Sequence, residues 1–277
     1  MTRLAIVIVA YNAREELEAS LSSLGAAPPG TPHDVIVVDN ASTDGVVTMV
    51  RERFPVVRLL DAGANVGFAR ANNLGIQASR SELVLLLNPD TIVPAGAIDR
   101  LVARLDAAPA AVAAGPRLVD AAGRPELSFG AAYGPVAELR QKALLALREA
   151  RPVRRYIDRL TSTERYVDWV SGACLLVRRA AAERAGLLDE RYFMYAEDVD
   201  FCATLRAQGG RILFTPVAEV VHLRGRSGRA DAAATRLAWE RSHLSYYRKH
   251  RPGWARWLLW YLRVRGFRAR DLEATTE

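Results

Sequence analysis

The sequence is poor in cysteine, which excludes several classes of protein. It has two cysteines in 277 residues, Cys174 and Cys202, and their spacing matches no metal-binding motif. Both lie in apolar surroundings, so we expect reduced core residues rather than a zinc site or the disulfide framework of a small secreted protein.

The sequence also lacks an apolar run long enough to cross a membrane. The first apolar stretch, residues 3–10, is too short for a span, and a charged helical pattern follows it, so we expect no signal peptide. The stretch 257–262 is a short apolar island between arginines. These features predict a cytoplasmic protein that contacts the inner face of the cell membrane at most.

Two nucleotide-binding motifs are missing as well. The glycine loop at 63–75 lacks the G-x-G-x-x-G spacing of dinucleotide-binding proteins and has no P-loop lysine, which disfavours a dehydrogenase.

Basic residues are in excess over acidic ones. The formal net charge is +7, nearly all of the basic side chains are arginines, and much of the excess follows His222. Uneven charge of this kind predicts an anionic partner for the C-terminal end.

Apolar runs and helical patterns alternate through the first part of the chain. The predicted strands are 4–10, 34–39, 56–60, 82–88 and 111–115, and the predicted helices are 13–25, 43–53, 68–79 and 94–107. Such alternation predicts an α/β protein with a single, mostly parallel central sheet flanked by helices.

The rest of the chain is less regular. Residues 116–168 contain an Arg-rich helical pattern at 136–160, and we interpret them as an insertion or flap. There follow a strand pattern at 170–178, helical patterns at 180–186 and 197–208, a strand pattern at 211–215 and a helical stretch at 231–265. We predict one domain over residues 1–228, which contains the insertion, and a helical C-terminal extension over 229–277.

Acidic residues stand where two apolar strands should end. The run 35–38 leads into Asp39, and the run 83–87 leads into Asn88 and Asp90. In open α/β sheets, ligands bind beyond the carboxyl ends of the strands. Mg²⁺ and Mn²⁺ are commonly held by one or two carboxylates together with phosphate oxygens of a substrate. The two acidic strand ends therefore predict a polar, cation-assisted site.

Each of these motifs also has a purely structural explanation. Asn12 could cap a helix, and the segment from Asp39 to Asp44 could be an Asx turn followed by a helix start. A carboxylate in that segment could equally accept a hydrogen bond from a pyrimidine base. The glycine loop before Arg70 could bind phosphate with its amides, or it could be a tight turn.

The same two kinds of explanation apply near the end of the domain. Glu197 and Asp198 begin a helical pattern, where carboxylates are favourable in any case. The aromatic residues before them could instead raise a carboxyl pKa and produce a general base. A lone histidine is usually structural, but His222 could complete a metal site with Asp90.

The order of these motifs resembles that of the family 2 inverting glycosyltransferases of the GT-A fold. The resemblance covers roughly residues 3–225 and is carried by Tyr11-Asn12, Asp39 to Asp44, Asn65 to Asn72, Asn88-Pro89-Asp90, Ser171-Gly172-Ala173 and Tyr195 to Asp200. The Asn-Pro-Asp form and the block 193–200 are most similar to bacterial rhamnosyltransferase-like members. These members use dTDP-L-rhamnose and commonly act on lipid-linked or polysaccharide acceptors.

The resemblance implies roles for particular residues. The nucleotide sugar would lie against Ala10, Tyr11, Asn12, Asp39, Asn40, Asp44, Asn65, Gly67, Asn72, Asn88 and Asp90. Asp90 would bind Mg²⁺ or Mn²⁺, with His222 as the second choice of ligand. Asp198 would be the catalytic base, with Glu197 as the second candidate. Trp169, Ser171, Gly172 and Arg224 would shape the sugar and acceptor pocket.

Asn88 is the one departure from the family pattern, since many relatives have an acidic residue there. This puts an all-carboxylate metal site in doubt. The implied activity is transfer of a sugar, L-rhamnose from dTDP-rhamnose, to a hydroxyl of a lipid-linked or polysaccharide acceptor in cell-envelope glycan synthesis. The alternative is a non-catalytic protein, derived from a transferase, that binds nucleotide sugar or glycan. Asp39, Asp90 and Asp198 together favour the enzyme.

The C-terminal stretch mixes aromatic and basic residues. Residues 246–265 could form a helix packed on the catalytic domain or an interfacial helix on anionic lipid. The membrane interpretation relies on Tyr246, Trp254, Trp257 and Trp260 for apolar area and on Arg248, Lys249, Arg251, Arg256, Arg263 and Arg265 for charge. Nucleic acid is disfavoured as a partner because the predicted catalytic edge is acidic.

Overall fold

The computed structural model describes residues 2–223, 232–268 and 271–272. The strands are β1 Leu4–Ala10, β2 His33–Asp39, β3 Arg58–Asp61, β4 Leu83–Leu87, β5 Thr91–Ile92, β6 Ala111–Val119, β7 Phe129–Gly130, β8 Arg165–Val167, β9 Trp169–Val170, β10 Cys174–Arg178 and β11 Arg211–His222. The helices are α1 Arg14–Ala26, α2 Val46–Arg53, α3 Phe68–Gln77, α4 Ala97–Asp106, α5 Pro135–Ala146, α6 Arg151–Thr161, α7 Arg179–Arg184, α8 Glu197–Ala207, α9 Ala232–His250 and α10 Pro252–Val264.

Nine strands of the described part of the chain form one central sheet. Its order is β3-β2-β1-β4-β10-β6-β11-β5, and β8 pairs with β11 outside this path. The neighbouring strands β3, β2, β1 and β4 run parallel to one another, and β6 runs parallel to β11. Strand β10 runs antiparallel to both of its neighbours, and β5 and β8 run antiparallel to β11. The predicted α/β architecture is confirmed, with a sheet that is parallel up to β4 and mixed beyond it.

Helices cover both faces of the sheet, which explains the apolar runs in the sequence. In β1, Leu4 and Ile6 belong to a core shared with α1, α2 and α4, whereas Ala5 and Val7 belong to a core shared with α3, α8 and α9. All residues of β1 and β4 are buried. A strand buried on both faces reads as a continuous apolar run rather than as an alternating pattern.

Both cysteines belong to these cores. Cys174 and Cys202 are buried and form no disulfide, as expected. Burial raises the pKa of each thiol to about 12. They are therefore neutral core residues rather than reactive thiols.

The two strands predicted after the flap segment differ from the structure. The pattern at 170–178 is divided into β9 and β10, because residues 171–173 turn the chain between them. The strand predicted at 211–215 continues to His222, since a register shift between Thr215 and Glu219 accommodates Pro216 within β11. His222 is thus the last residue of a sheet strand rather than part of a segment beyond the sheet.

The flap segment, residues 116–168, begins and ends in the central sheet. Its first residues extend β6 to Val119, and its last ones contain β8. Between them lie α5 and α6, in agreement with the helical pattern at 136–160. The domain boundary at 228 lies outside the described residues and stays a prediction.

The C-terminal helices pack against the sheet domain to different extents. Tyr246 and Tyr247 of α9 are buried in the same core as α8. In α10, Ala255 and Leu262 are the buried residues. None of the helices in the described part of the chain is long and apolar enough to cross a membrane.

Candidate active site

The carboxyl ends of β1 and β2 lie side by side. Ala10 pairs in register with Asp39, and the N–H of Asn40 donates to the carbonyl oxygen of Ala10 at 2.8 Å. The side chains of Asp39 and Asn40 are buried, whereas Tyr11, which follows Ala10, is 41 % exposed. The first wall of the predicted site is therefore formed by two adjacent strand ends.

The loop after β2 is tied to the end of β1. The side-chain oxygen of Asn12 accepts the N–H of Thr43 at 2.8 Å, and the N–H of Asn12 donates to Ser42 Oγ at 3.1 Å. Asp44 accepts the N–H of Arg14, the first residue of α1, at 2.9 Å. Asn12 thus holds the loop rather than capping α1, and Asp44 serves the start of that helix.

An amide pair joins β2 to the glycine loop. Nδ2 of Asn40 donates to Oδ1 of Asn65 at 2.8 Å, and Oδ1 of Asn40 accepts the N–H of Val66 at 2.9 Å. Oδ1 of Asn65 also accepts the N–H of Gly67 at 3.3 Å. Asn40 and Asn65 therefore fix the position of the loop at this edge of the sheet.

Gly67 is required by the close approach of the segment that precedes α8. Its φ is +83°, and a Cβ at this position would lie 2.5 Å from the carbonyl oxygen of Phe193. The N–H of Phe68 donates to the same oxygen at 2.7 Å. The amides of Val66, Gly67 and Phe68 are all used within the protein, so this helix start does not support the phosphate-binding interpretation. Asn72 is buried and donates to the Phe68 carbonyl at 2.9 Å, which makes it an internal support of α3.

Asp90 and His222 are neighbours, as predicted for a shared site. Nε2 of His222 lies 3.3 Å from a carboxylate oxygen of Asp90, and its Nδ1 lies 3.2 Å from Glu126. Burial lowers the pKa of His222, but the hydrogen bonds and charges of Asp90 and Glu126 outweigh it and raise the pKa to about 9. The two carboxylates therefore favour the protonated imidazole, which donates to both of them.

The end of β4 fits a divalent cation through Asp90 and Asn88. The side-chain oxygen of Asn88 is buried and has no hydrogen-bond partner in the described structure. Hard cations bind carboxylate and amide oxygens together with phosphate oxygens. Among the described residues, no group of three or more His, Cys, Asp or Glu side chains is arranged to hold a metal. An ion bound here would therefore need oxygens from the substrate to complete its coordination.

Backbone hydrogen bonds connect the end of β4 to the start of α8. The N–H of Asn88 donates to the carbonyl oxygen of Ala173 at 3.0 Å, and the N–H of Gly172 donates to Oδ2 of Asp198 at 2.9 Å. The antiparallel pairing of β4 with β10 brings these groups together. Asp198 is thus attached to the same sheet edge as the Asn88–Asp90 motif, although the two are far apart in the sequence.

Glu197 and Asp198 differ in their hydrogen bonds. Asp198 accepts the N–H groups of Gly172 and Val199 at 2.9 and 2.8 Å, whereas Oε2 of Glu197 is buried without a partner in the described structure. Burial, reinforced by the charge of Asp198, raises the pKa of Glu197 well above its usual value. Burial also raises the pKa of Asp198, but its two N–H donors partly offset this. The pair therefore favours a proton on Glu197 and an ionised Asp198, which is the form a general base needs.

Unusual backbone conformations gather in the loops of this site. The described residues other than glycine with positive φ are Asn12, Ala41, Leu187, Tyr195 and Ala196. All but Leu187 belong to the loops that follow β1 and β2 or to the segment that leads into α8. Such conformations cost about 1–3 kcal/mol each and are often found at active sites. Their placement supports this edge as the functional site.

The predicted acceptor wall is held by hydrogen bonds to the flap segment. Trp169 is 6 % exposed, and its Nε1–H donates to the carbonyl oxygen of Ala131 at 2.9 Å. The N–H of Ser171 donates to the carbonyl oxygen of Ser128 at 2.7 Å. Trp169 and Ser171 thus position the turn that contains Gly172, and Gly172 contacts Asp198.

The last acid of the block 197–200 has a structural role. Asp200 is buried and accepts hydrogen bonds from Tyr192 Oη at 3.1 Å, Lys249 Nζ at 2.9 Å and His250 Nε2 at 2.6 Å. It therefore attaches the end of α9 to α8.

Two residues of the site were not predicted from the sequence. Glu126 holds His222 from the side opposite Asp90. Tyr133 packs edge-on against Trp169 at a ring-centroid distance of 6.3 Å, and burial, followed by the charge of Asp198, raises the pKa of its phenol. Both belong to the flap segment, whose irregular pattern gave no element on which to place them. Arg224, predicted for the acceptor pocket, lies outside the described residues.

Comparison with known proteins identifies the class of the molecule. The model of glycosyl transferase family 2 matches residues 5–184. N-acetylglucosaminyl-diphospho-decaprenol L-rhamnosyltransferase of Mycobacterium tuberculosis is 36 % identical over 282 residues, which cover 94 % of this chain and 89 % of that protein.

Solved structures share the fold at lower identity. The mannosyltransferase PcManGT from Pyrobaculum calidifontis, in complex with GDP-Man and Mn²⁺, has a TM-score of 0.63 and 20 % identity over 93 % of this chain and 68 % of that one. GalNAc-T7 with UDP, GalNAc and Mn²⁺ has a TM-score of 0.63 and 15 % identity over 90 % of this chain and 48 % of that one. These structures confirm the GT-A fold. The family model matches more than half of the residues of this chain. The chain therefore belongs to glycosyl transferase family 2.

Proposed function

We propose that this glycosyltransferase moves L-rhamnose from dTDP-L-rhamnose, with inversion, onto the N-acetylglucosamine of a polyprenyl-diphosphate-linked acceptor. The observation that carries the proposal is the 36 % identity to the mycobacterial rhamnosyltransferase over 94 % of the chain. The name of that relative specifies both the sugar and a decaprenyl-diphosphate-linked acceptor.

Asp198 is the proposed base. Its carboxylate takes the proton of the acceptor hydroxyl while the hydroxyl oxygen bonds to the anomeric carbon and the bond from that carbon to the diphosphate breaks. A single displacement of this kind needs one base and inverts the anomeric carbon. The N–H groups of Gly172 and Val199 hold the carboxylate in a fixed orientation. Burial of the neighbouring Glu197 favours its protonated form, which leaves Asp198 to take the acceptor proton.

Asp90 and the free oxygen of Asn88 are the proposed anchors of a divalent cation. When bound, Mg²⁺ or Mn²⁺ would neutralise the negative charge on the leaving diphosphate. The Mn²⁺ named in the two similar structures supports this choice of cofactor. His222, whose Nε2 lies 3.3 Å from a carboxylate oxygen of Asp90, is the second choice of ligand.

Asp39 is the proposed contact to the nucleotide base. One of its oxygens accepts the N–H of Ser42 at 3.2 Å. We propose that the other oxygen accepts the N3–H of thymine. Tyr11, which is partly exposed, would cover the base. Asn12, Asp44 and Asn65 would act indirectly, since their side chains hold the loops that form this end of the site.

A non-catalytic binding protein is the alternative, and slow hydrolysis of the sugar donor separates the two. The protein is incubated with dTDP-rhamnose and Mg²⁺ or Mn²⁺ in the absence of acceptor. An enzyme should release free rhamnose and dTDP slowly, with water in place of the acceptor. Donor binding without any release of dTDP, and without transfer when acceptor is added, would favour the binding protein.

The nucleotide preference gives a first prediction. Calorimetric titration in the presence of Mn²⁺ should show that dTDP binds more tightly than UDP or GDP. The reason is the resemblance to transferases that use dTDP-rhamnose, together with a single carboxylate at the base site that matches the N3–H of a pyrimidine. Tighter binding of GDP would contradict the proposal, because a purine needs a differently shaped base site.

Helix α10 supports a peripheral contact with the membrane. Trp254, Trp257 and Trp260 are 52 %, 65 % and 61 % exposed, while Ala255 and Leu262 attach the helix to the protein. Exposed tryptophans of this kind are typical of the membrane–water interface.

Three residues expected to face lipid are engaged within the protein instead, one of which is Arg265, 3.3 Å from a carboxylate oxygen of Glu240. The other two belong to α9. Tyr246 is buried, and Lys249 forms ion pairs with Asp189 and Asp200 at 2.8 and 2.9 Å. Both are used to pack α9 on the domain. The membrane proposal therefore rests on α10 and its arginines.

Binding to anionic vesicles is the second prediction. Wild-type protein should co-sediment with phosphatidylglycerol vesicles at low salt and dissociate at high salt, since each basic residue near an anionic surface contributes roughly 1 kcal/mol. Replacement of Trp257, Trp260, Arg263 and Arg265 by serine should remove most of this binding. Val56, which is 94 % exposed and lies outside α10, provides the control variant Val56→Ser. Absence of binding at low salt, or unfolding of the α10 variant, would mean that the helix is structural.

A further inference from the structure

An aromatic groove lies between α5 of the flap segment and the C-terminal helices α9 and α10. Its volume is about 380 Å³, and its walls include Leu139, Trp239, His243, Tyr247, Trp257 and Tyr261. This volume is within the range of sites that bind small organic molecules. Two of the wall residues, Leu139 and Trp257, are 71 % and 65 % exposed. The groove is therefore open and apolar.

The charged side chains along the groove pair with one another. Lys142 lies 3.9 Å from Glu138, and Arg265 lies 3.3 Å from Glu240. The four charges sum to zero, and each has an opposite charge beside it; Nε2 of the groove residue His243 also lies 2.9 Å from Glu138. An anionic group gains little from such a surface, whereas a hydrocarbon chain can cover the aromatic walls without separating a charge from its partner.

Packed rings connect the wall of the groove to the proposed catalytic site. The ring of Tyr133 packs edge-on against His243 of the groove at a centroid distance of 5.7 Å and against Trp169 at 6.3 Å. Trp169 lies just before the turn whose Gly172 N–H donates to Asp198. Glu138, at the other side of the groove floor, accepts the hydroxyl of Tyr247 at 2.6 Å and so joins α5 to α9. The connection from Asp198 to the groove thus follows the backbone from Gly172 to Trp169 and then the packed rings of Trp169, Tyr133 and His243.

We propose that this groove binds the first isoprene units of the lipid-linked acceptor, while the sugar at the end of the lipid lies beside Asp198. This inference rests on the proposed function, because it takes from there a polyprenyl-diphosphate-linked acceptor. The groove is small compared with a decaprenyl chain, so the remainder of the chain stays in the bilayer against which α10 lies. The enzyme then recognises its acceptor through the lipid as well as through the sugar.

Two matched pairs of substitutions test the proposal. On α5, Leu139 lines the groove, whereas Val136 is 82 % exposed and is not among its lining residues. On α10, Trp257 lines the groove, whereas the equally exposed Trp260 does not. The variants are Leu139→Ala with Val136→Ala, and Trp257→Ala with Trp260→Ala, each checked by thermal unfolding.

The measurement is the KM of the full-length enzyme for two acceptors in detergent micelles. One is GlcNAc-diphospho-decaprenol, and the other is the methyl ester of GlcNAc-diphosphate, which has no lipid. In the variants Leu139→Ala and Trp257→Ala, the KM for GlcNAc-diphospho-decaprenol divided by the KM for the methyl ester should rise by about tenfold. In the variant Val136→Ala, the ratio should stay within about twofold of wild type, because that side chain does not line the groove. In Trp260→Ala, which removes only a proposed membrane contact, the ratio should rise less than in Trp257→Ala.

Several outcomes would overturn the proposal. An unchanged ratio in the groove variants would mean that the acceptor lipid lies elsewhere. An equal rise in Trp257→Ala and Trp260→Ala would indicate general attachment to the micelle through α10. A change of oligomeric state in the groove variants, with both acceptors affected equally, would show that the groove is a contact between two copies of the chain.

Photolabelling with a benzophenone-bearing farnesyl diphosphate tests the groove independently of turnover. The labelled peptides should come from α5, α9 and α10, and excess decaprenyl phosphate should suppress the labelling. Labelling of other parts of the protein would contradict the proposal that this groove binds the lipid. If the wild-type enzyme transfers rhamnose to neither acceptor but the groove is labelled, the result contradicts the proposed reaction. It still supports a lipid-binding site in the groove.

Discussion

Replacement of Asp198 by asparagine should reduce rhamnose transfer by about 10²–10⁴-fold, the usual contribution of a general base. The amide has nearly the same shape as the carboxylate but cannot take the proton of the acceptor hydroxyl. Affinity for the sugar donor should change little, since the proposed donor contacts lie at the ends of β1, β2 and β4. Single-turnover rates and calorimetric titration of dTDP measure the two effects separately.

Glu197 provides the matched control for this substitution. Because the structure favours a proton on Glu197, the neutral variant Glu197→Gln should retain much more activity than Asp198→Asn. If Glu197→Gln were less active than Asp198→Asn, Glu197 would be the base instead of Asp198. Wild-type turnover in Asp198→Asn would exclude Asp198 as the base.

The same assignment predicts how activity depends on pH. A base works only when deprotonated, and burial raises the pKa of Asp198. As the pH falls, kcat/KM should therefore be lost at a higher pH than for an ordinary aspartate, whose pKa is about 3.9. This acid limb should be missing from the residual activity of Asp198→Asn.

Replacement of Asp90 by alanine should weaken donor binding and remove its dependence on Mg²⁺ or Mn²⁺. Loss of the carboxylate takes away the proposed protein anchor of the cation, and the diphosphate then loses its counter-charge. Even indirect contacts around a metal commonly contribute about 10–100-fold to metal affinity, so we expect a loss of at least this size. Titration of dTDP at increasing Mn²⁺ concentration measures it.

Asp61 is a suitable control because it ends β3 at the same edge of the sheet, in register with Asp39. Asp61→Asn should leave the Mn²⁺ titration unchanged, which would show that the effect of Asp90→Ala is not a general consequence of removing negative charge. Undiminished stimulation by Mn²⁺ in Asp90→Ala would contradict the assignment of the metal site.

Much of the N-terminal half could be predicted from the sequence because its strands are covered on both faces. The runs in β1 and β4 are wholly apolar, and the polar residues that follow them stand at the carboxyl edge of these parallel strands. A metal site shared by Asp90 and His222 was also proposed from the sequence, as the alternative to a structural histidine, and it stays a prediction. That prediction followed from the chemistry of the two residues, while the strand that places His222 was predicted seven residues too short.

The sequence could not predict contacts that depend on distant segments. The amide of Phe68 seemed free for phosphate because nothing local indicates that the carbonyl oxygen of Phe193 accepts it. Glu126 and Tyr133 were missed for the same reason, since the flap segment is positioned by its packing on β11, α8 and α9. The division of 170–178 into two strands likewise reflects hydrogen bonds of Gly172 and Ser171 to other parts of the chain.

The most direct test of the proposed function is product analysis with defined substrates. Purified protein is incubated with dTDP-L-rhamnose, GlcNAc-diphospho-decaprenol and Mn²⁺, and the lipid product is examined by mass spectrometry and NMR. We predict the gain of one rhamnose on the N-acetylglucosamine, with the anomeric configuration opposite to that in the donor, and no product with Asp198→Asn. Retention of configuration, or transfer only from a UDP- or GDP-linked sugar, would contradict the account.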